Sequence, residues 1–537
     1  MEEKKITVLA PELEKMIRNF LESQGSDASL QRDNDRVIGS AFVYEKIRSS
    51  LEYQEDHLIF KNAIARILRR KYTLNLNPKA PDIVTDLINE LSWANYINPE
   101  GIAKDQSETM VKIVDRYLIF LKNVRSGHIT KNNLQKMVIG WMACEIDEIF
   151  HPTKDRDIYL DYVATTLLQN ILLEKGKEVS VESLIQLKIA IYTLVLKPDY
   201  YLLQYWLIET IYPDWTAMSP DDLIKIARSF DPYYNKVNNT LNFSDRKKYL
   251  QFVKMNIAPF ILLYRLLVTE KTCPEQGRGI DLAKIKEKPQ ILHTRMMETY
   301  NLAVREARNK VWRGTYRALV FILITKISLA FIIEIPFDRL TAGSVNYSTL
   351  LINIILPPAL MLIAGTFVKS PGPKNYAVIS ESITNLISHN QIGDKKFSLA
   401  KRKNSSTNRI FNFIYLLFTL AILAGTIWLL IWLGFNFISI TLFFLFVSAV
   451  SFFSFRIRNI ALELAMKRAR DDALTSTLEF IFLPFIRMGR YLSDRIAAFN
   501  PFILALDFLI EAPLKSILKI TNLWFKFINT KKEDLEL

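Results

Sequence analysis

The chain has 537 residues, 50% of them hydrophobic and 23% charged, with a formal net charge of +14 and a mean hydropathy of +0.10. Its 16 glycines and 20 prolines exclude collagen-like and low-complexity classes, and two distant cysteines, Cys144 and Cys273, exclude a disulfide scaffold or a zinc site built on paired cysteines. The charge is segregated: residues 1–300 carry 41 Lys+Arg and 40 Asp+Glu, residues 301–537 carry 28 and 15, so the positive excess lies beside apolar segments and not on a soluble nucleic-acid-binding body.

The opening, Met1-Glu2-Glu3-Lys4-Lys5, lacks the apolar core of a signal peptide. Residues 1–288 read as one cytosolic all-helical domain. Lys61, Arg66, Arg69, Arg70 and Lys71 form a basic helix end, read as a solvated terminus favoured by the helix dipole. From Pro81 the residues Ile83, Leu87, Ile88 and Leu91 share one helical face. Gly127-His128 separates two further helices, over 106–125 and 129–150. Glu148 and His151 have the spacing used in di-iron bundles, but no second such pair exists, which leaves an ordinary helix end before Pro152. Leu184 to Ile211 is divided by Pro198 and interrupted by charge, so it reads as two core helices. The run from Ile257 to Val268 is too short to span and contains Arg265.

From Pro289 a single apolar stripe leads into the first of four long apolar runs, making residues 289–317 a helical strut. The runs are Ala318 to Ile335, Ser348 to Val368, Ile410 to Leu433 and Phe437 to Phe455, against a need for about 20 residues to cross a bilayer. Arg305, Arg308, Lys310, Arg313 and Arg317 precede the first, the linker 369–409 is basic, and Arg456, Arg458, Lys467, Arg468 and Arg470 follow the fourth. The connections 336–347 and 434–436 are nearly uncharged. Positive residues stay on the cytoplasmic side, so residues 318–455 are expected to hold four spans with both termini cytoplasmic, in a cell membrane. The frequency of Lys, Ile and Asn suggests a prokaryotic genome.

Residues 456–537 read as amphipathic helices at the inner surface, with Phe480 to Ile486 among them and another in the linker around Tyr376, Ile379, Ile383 and Leu386. Between Leu514 and Ile528 the polar positions Lys515, Lys519, Asn522 and Lys526 form one narrow stripe on an apolar body that includes Trp524. Lys515, Lys519, Lys526 and Trp524 are therefore the candidate lipid-interface residues, and anionic headgroups the expected partner.

No phosphate loop, dinucleotide fingerprint, nucleophile elbow or zinc-protease motif occurs in the chain, so no cofactor, metal or catalytic residue is assigned. The informative polar residues lie within the runs. Lys326 is the ninth of 18 residues in the first run, and Glu334 follows eight positions later, about 80° round a helix. Asn353 of the second run is a candidate neighbour. The expected fold is an all-α polytopic membrane protein. The expected function is a non-enzymatic membrane scaffold or adaptor whose cytosolic domain binds an as yet undefined protein. The alternative is an oligomeric channel or transporter subunit, a homo-oligomer being one possibility, with Lys326 and Glu334 in or near its pathway.

Overall fold

The computed structural model describes residues 10–25, 58–74, 79–94, 96–97, 102–169, 171–172, 181–272, 289–342, 347–368, 371, 373–390, 397–398, 406–462, 464–466 and 480–491. These residues are helical throughout apart from turns and two extended dipeptides, Ile171–Leu172 and Phe397–Ser398. They divide into two compact units, one formed by Pro11–Lys254 and one that begins at residue 255.

In the N-terminal unit the helices are α1 (Pro11–Gly25), α2 (Leu58–Leu74), α3 (Ala80–Trp93), α4 (Lys104–Asn123), α5 (Lys131–Phe150), α6 (Lys154–Leu168), α7 (Val181–Val195), α8 (Tyr200–Ile211), α9 (Pro220–Arg228), α10 (Phe230–Leu241) and α11 (Arg246–Asn256). Helix α5 is the centre. Residues Met137 to Ile146 are buried without interruption, which is why it carries no clean polar face, and α2, α4 and α8 pack round it. Gly140 makes that packing close, because a Cβ there would stand 2.7 Å from the ring of Tyr201. Asp199 starts α8 by accepting from the Leu202 amide at 2.9 Å, and its other oxygen takes the ammonium of Lys61.

The basic end of α2 is therefore not a solvated terminus. Lys61 is 1% exposed and paired with Asp199, Arg70 pairs with Glu90, and Lys71 pairs with Asp86 at 2.5 Å. The carboxylates come from α3 and the start of α8, positions that helix periodicity does not connect to α2.

The second unit begins with α12 (Ala258–Thr272). Sequence spacing put this segment with the domain before it. It packs instead on α13 (Pro289–Leu329) and α16 (Pro373–His389), and Arg265 reaches Glu306 of α13 at 2.7 Å. Helix α13 continues through a wider π turn (Ala330–Glu334) into α14 (Ile335–Ala342), and α15 (Tyr347–Phe367), α17 (Ser406–Trp432) and α18 (Phe437–Ala461) follow. Four of these segments are long and apolar enough to cross a membrane: Thr294–Thr341, Tyr347–Thr366, Phe413–Trp432 and Phe437–Ala461. The first, second and fourth pack on one another around Val311, Ala318, Ile322, Met361, Phe446 and Val450. Gly365 lets the first two meet, since a Cβ there would stand 2.4 Å from Thr315. The third presents Phe413, Leu416, Leu420, Trp428 and Trp432 outward. A tight turn joins it to the fourth: Gly434 takes φ 81°, open to glycine at little cost, and Asn436 caps α18 by accepting from the Ser439 amide at 2.8 Å.

Two surface-helix expectations change. The stripe Ile379, Ile383 and Leu386 of α16 is wholly buried, covered by α12 and α13 and not facing lipid. The helix 480–491, labelled α19, lies against the spans: Phe480 packs on Tyr415 and Phe418, Phe485 stacks on Phe444, and Gly489 sits over the Ser448 carbonyl, which an added Cβ would approach to 2.2 Å. A short apolar helix avoids water equally well at a membrane surface or against span side chains, and its sequence does not choose between them.

Candidate functional site

Three polar side chains of the first two spans converge. Lys326 Nζ donates to Glu334 Oε1 at 2.7 Å, and Asn353 Nδ2 donates to the same oxygen at 2.8 Å. All three residues are 0% exposed. The Lys326 ammonium also lies 5.2 Å from the ring centre of Phe446 on the fourth span, a cation–π contact. Asn353 Nδ2 lies 3.5 Å from the Ser439 carbonyl, so the cluster touches the first, second and fourth spans together.

The π turn makes the alignment. On an unbroken α-helix, Lys326 and Glu334 would point about 80° apart. The Ile335 amide bonds the Ala330 carbonyl five residues back. The extra residue in that turn removes about one 100° step and leaves the two side chains roughly 20° apart. Pro336 gives the turn its cause: it has no N–H for the Ile332 carbonyl and its ring crowds that carbonyl, so the helix widens just before it. On the second span Pro357 likewise supplies no amide to the carbonyl of Asn353, an interruption membrane helices tolerate where neighbouring helices cover it. One turn beyond Glu334, Asp338 accepts from the side chain of Asn436, tying the first span to the cap of the fourth.

Lysine and carboxylate neutralise each other, and the amide and the ring complete the lysine–carboxylate surroundings. Glu334 Oε2 and Asn353 Oδ1 have no hydrogen-bond partner among the described residues. Lys326, Glu334 and Asn353, selected from the sequence, are thus in direct contact. Lys515, Lys519, Lys526 and Trp524 lie outside the described residues. Asp338, Asn436 and Phe446 had no sequence signal separating them from ordinary loop and core residues.

The N-terminal unit holds a second polar cluster. Arg116 pairs with Glu145, whose second oxygen accepts from Tyr117 Oη at 3.0 Å; Trp215 Nε1 in turn donates to that hydroxyl at 3.2 Å. Close by, Tyr205 Oη faces Glu209 Oε1 at 2.8 Å and Glu148 Oε2 at 3.4 Å. One hydroxyl proton cannot serve two carboxylates, so the arrangement favours a proton held on a carboxyl. Burial first, and the adjacent Glu209 next, push Glu148 up to about 8 against the opposing Arg156. Burial pushes Glu209 up to about 7, against the hydrogen bond from Tyr205, with Glu145 and Asp157 adding to the rise. His151 bonds Asp147 at 2.8 Å, so the Glu148–His151 spacing does not gather ligands, and no metal-holding group of His, Cys, Asp and Glu occurs among the described residues.

Both acids bind protons more tightly in the folded chain than at their ordinary value of 4.5. Their stabilising contribution is complete below 4.5 and lost as pH rises through about 7 and then about 8. Thermal unfolding at stepped pH should show stability falling across that window, by at most about 1.4 kcal/mol per pH unit for each proton released. Glu148→Gln should flatten the fall. A profile unchanged by that substitution would disprove the shared proton.

No family model, curated protein or solved structure matches this chain.

Proposed function

We propose that the chain is a non-enzymatic membrane scaffold: four spans anchor it, and the N-terminal helical unit binds a protein partner at the cytoplasmic surface. The observation that supports this reading is the closure of the Lys326–Glu334–Asn353 cluster. An ion pathway needs water or a polar lining at its charged groups, and these charges are 0% exposed and bonded to each other. The basic residues flanking the spans support a topology with both termini cytoplasmic in a cell membrane, and the frequency of Lys, Ile and Asn supports a prokaryotic one. A second reading, an oligomeric channel or transporter subunit, draws on the unpartnered Glu334 Oε2 and Asn353 Oδ1, two acceptors that a moving proton or cation could use.

Flux separates the two. Purified protein in liposomes should pass neither protons nor monovalent cations, and Lys326→Leu should leave that unchanged. Flux in the wild type that the substitution alters would overturn the scaffold reading. In a background without Cys144 and Cys273, an impermeant thiol reagent applied outside should label Gly343→Cys and spare Lys374→Cys. Labelling at 374 would overturn the topology. Cross-links formed in native membranes should map to residues 11–254.

A further inference from the structure

The first span carries its outward face past the hydrocarbon. A bilayer core is about 30 Å thick, and the headgroup regions bring the whole to about 40–45 Å, which is about 5–8 Å on each side. Ala318 to Ile335 covers about 27 Å at 1.5 Å per residue, so the inner edge of the core falls near Ala318. Trp312, Arg313, Tyr316 and Arg317 then stand about 2–9 Å beyond that edge, at headgroup depth. The fourth span sets the same level. Gly314 faces Ile457 of α18, whose side chain an added Cβ would meet at 3.6 Å, and Ile457 lies between Arg456 and Arg458.

This stretch of α13 is open and positively charged. Arg313, Arg317, Ile324 and Ile327 fall within about 80° round the helix, and all four are exposed, so one face runs from the hydrocarbon into the headgroups. Tyr316 borders it at 69% exposure and Trp312 at 43%, two rings left open at the depth where interfacial aromatics gather. Among the described residues none of Arg305, Arg308, Lys310, Arg313 and Arg317 pairs with a carboxylate; Glu306, the one acid between them, is taken by Arg265 at 2.7 Å. Arg313 Nε donates to the Asn309 carbonyl at 3.3 Å, which leaves its two amino groups for a ligand. An acidic protein or a nucleic acid would also meet these charges, but neither accounts for aromatic rings at the end of an apolar face. The headgroup of an anionic lipid accounts for both.

We propose that Arg313 and Arg317, flanked by Trp312 and Tyr316, bind the phosphate of an anionic phospholipid in the cytoplasmic leaflet. The guanidinium groups supply charge and a two-toothed contact with phosphate oxygens. The rings sit at the boundary with the acyl chains, which run along Ile324 and Ile327. An anionic lipid is preferred because the two arginines have no acid beside them, and a zwitterionic headgroup brings its own cation. Arg305 lies about 18 Å before Arg317, beyond the screening length of about 8 Å at physiological salt, and contributes little. The site rests on residues 318–335 crossing the bilayer as proposed above, and not on a protein partner or on conduction.

The test is native mass spectrometry of the full chain released from nanodiscs holding phosphatidylglycerol and phosphatidylcholine in equal amounts. Wild type should retain phosphatidylglycerol in excess. Arg313→Gln and Arg317→Gln should each lower that excess about fivefold, as expected for one cation at a charged membrane surface. Arg313→Lys, which keeps the charge, should hold most of it. Arg305→Gln makes the same change on the same helix about 12 Å before Arg313, and should alter the excess by less than about twofold. Millimolar inorganic phosphate should not displace the lipid; displacement would mean a free-phosphate site and overturn the lipid assignment. Equal retention of both lipids, or equal loss in Arg305→Gln and Arg313→Gln, would also overturn it. So would unchanged retention in Arg313→Gln with loss of cross-links to a partner, which would give the face to an acidic protein. Labelling of Gly343→Cys tests the span separately: normal labelling with equal lipid retention rejects the headgroup site and leaves the topology standing.

Discussion

Glu334→Leu is expected to destabilise the span bundle by about 3–5 kcal/mol, because it leaves the Lys326 charge buried with only a ring for company. The lysine accounts for most of this, since an unpaired lysine at the centre of a spanning helix costs about 2.5–3.5 kcal/mol on the insertion scale. The hydrogen bond lost from Asn353 adds about 0.6 kcal/mol, typical of bonds between membrane helices. Lys326→Leu should cost less, because the carboxylate left behind keeps the hydrogen bond from Asn353. The double substitution Lys326→Leu with Glu334→Leu should recover most of the loss, since apolar packing replaces a buried ion pair at little cost. Denaturation of the full chain in mixed micelles, for wild type, both single variants and the double, gives the coupling energy directly. A double variant as unstable as Glu334→Leu alone would show that the pair does not hold the helices.

The second large effect belongs to the N-terminal unit. Arg116→Ala should cost about 3 kcal/mol at neutral pH, because Glu145, 7% exposed, then keeps its charge with only the Tyr117 hydroxyl as donor. Burial already raises Glu145 above its ordinary value of 4.5, and removing the arginine raises it further. The penalty should therefore shrink as pH falls, and below 4.5, where the carboxyl is protonated both folded and unfolded, its charge-burial part is gone. Arg116 also donates to the Thr216 carbonyl, so its loss frees the short helical turn Trp215–Ala217 from α4. Hydrogen exchange of the full chain should quicken in 104–123 and 131–150 at pH 7 and approach wild type in acid, after correction for intrinsic exchange. Unchanged protection at neutral pH would show that Glu145 is satisfied without its arginine.

Much of the architecture could be read in advance because it depends on local or one-dimensional signals. Runs of about 20 apolar residues specify spans whatever surrounds them. Pro198 separates α7 from α8, Pro289 begins α13, and Gly434 turns α17 into α18, each through its own backbone restriction. Lys326, Glu334 and Asn353 were visible for the same reason: a charge or amide in hydrocarbon must find a partner, and few were on offer. By contrast, the single stripe of α16 was equally consistent with lipid and with protein, and only the presence of α12 and α13 over it decides for protein.

The sequence by itself determined that this is an all-helical chain with four membrane-length apolar helices, because hydropathy, helix periodicity and proline placement act within each segment. Tertiary structure alone decided what each polar group meets. It turned Glu334 toward Lys326 through the π turn ahead of Pro336, paired the basic end of α2 with Asp86, Glu90 and Asp199, gathered Glu148, Glu209 and Tyr205, and set Arg487 of α19 against Tyr415. These partners stand up to 138 positions apart, as Lys61 and Asp199 do. Hydrogen bonds and ion pairs are set by distance and angle in space, and a sequence carries such distances only within a few helical turns.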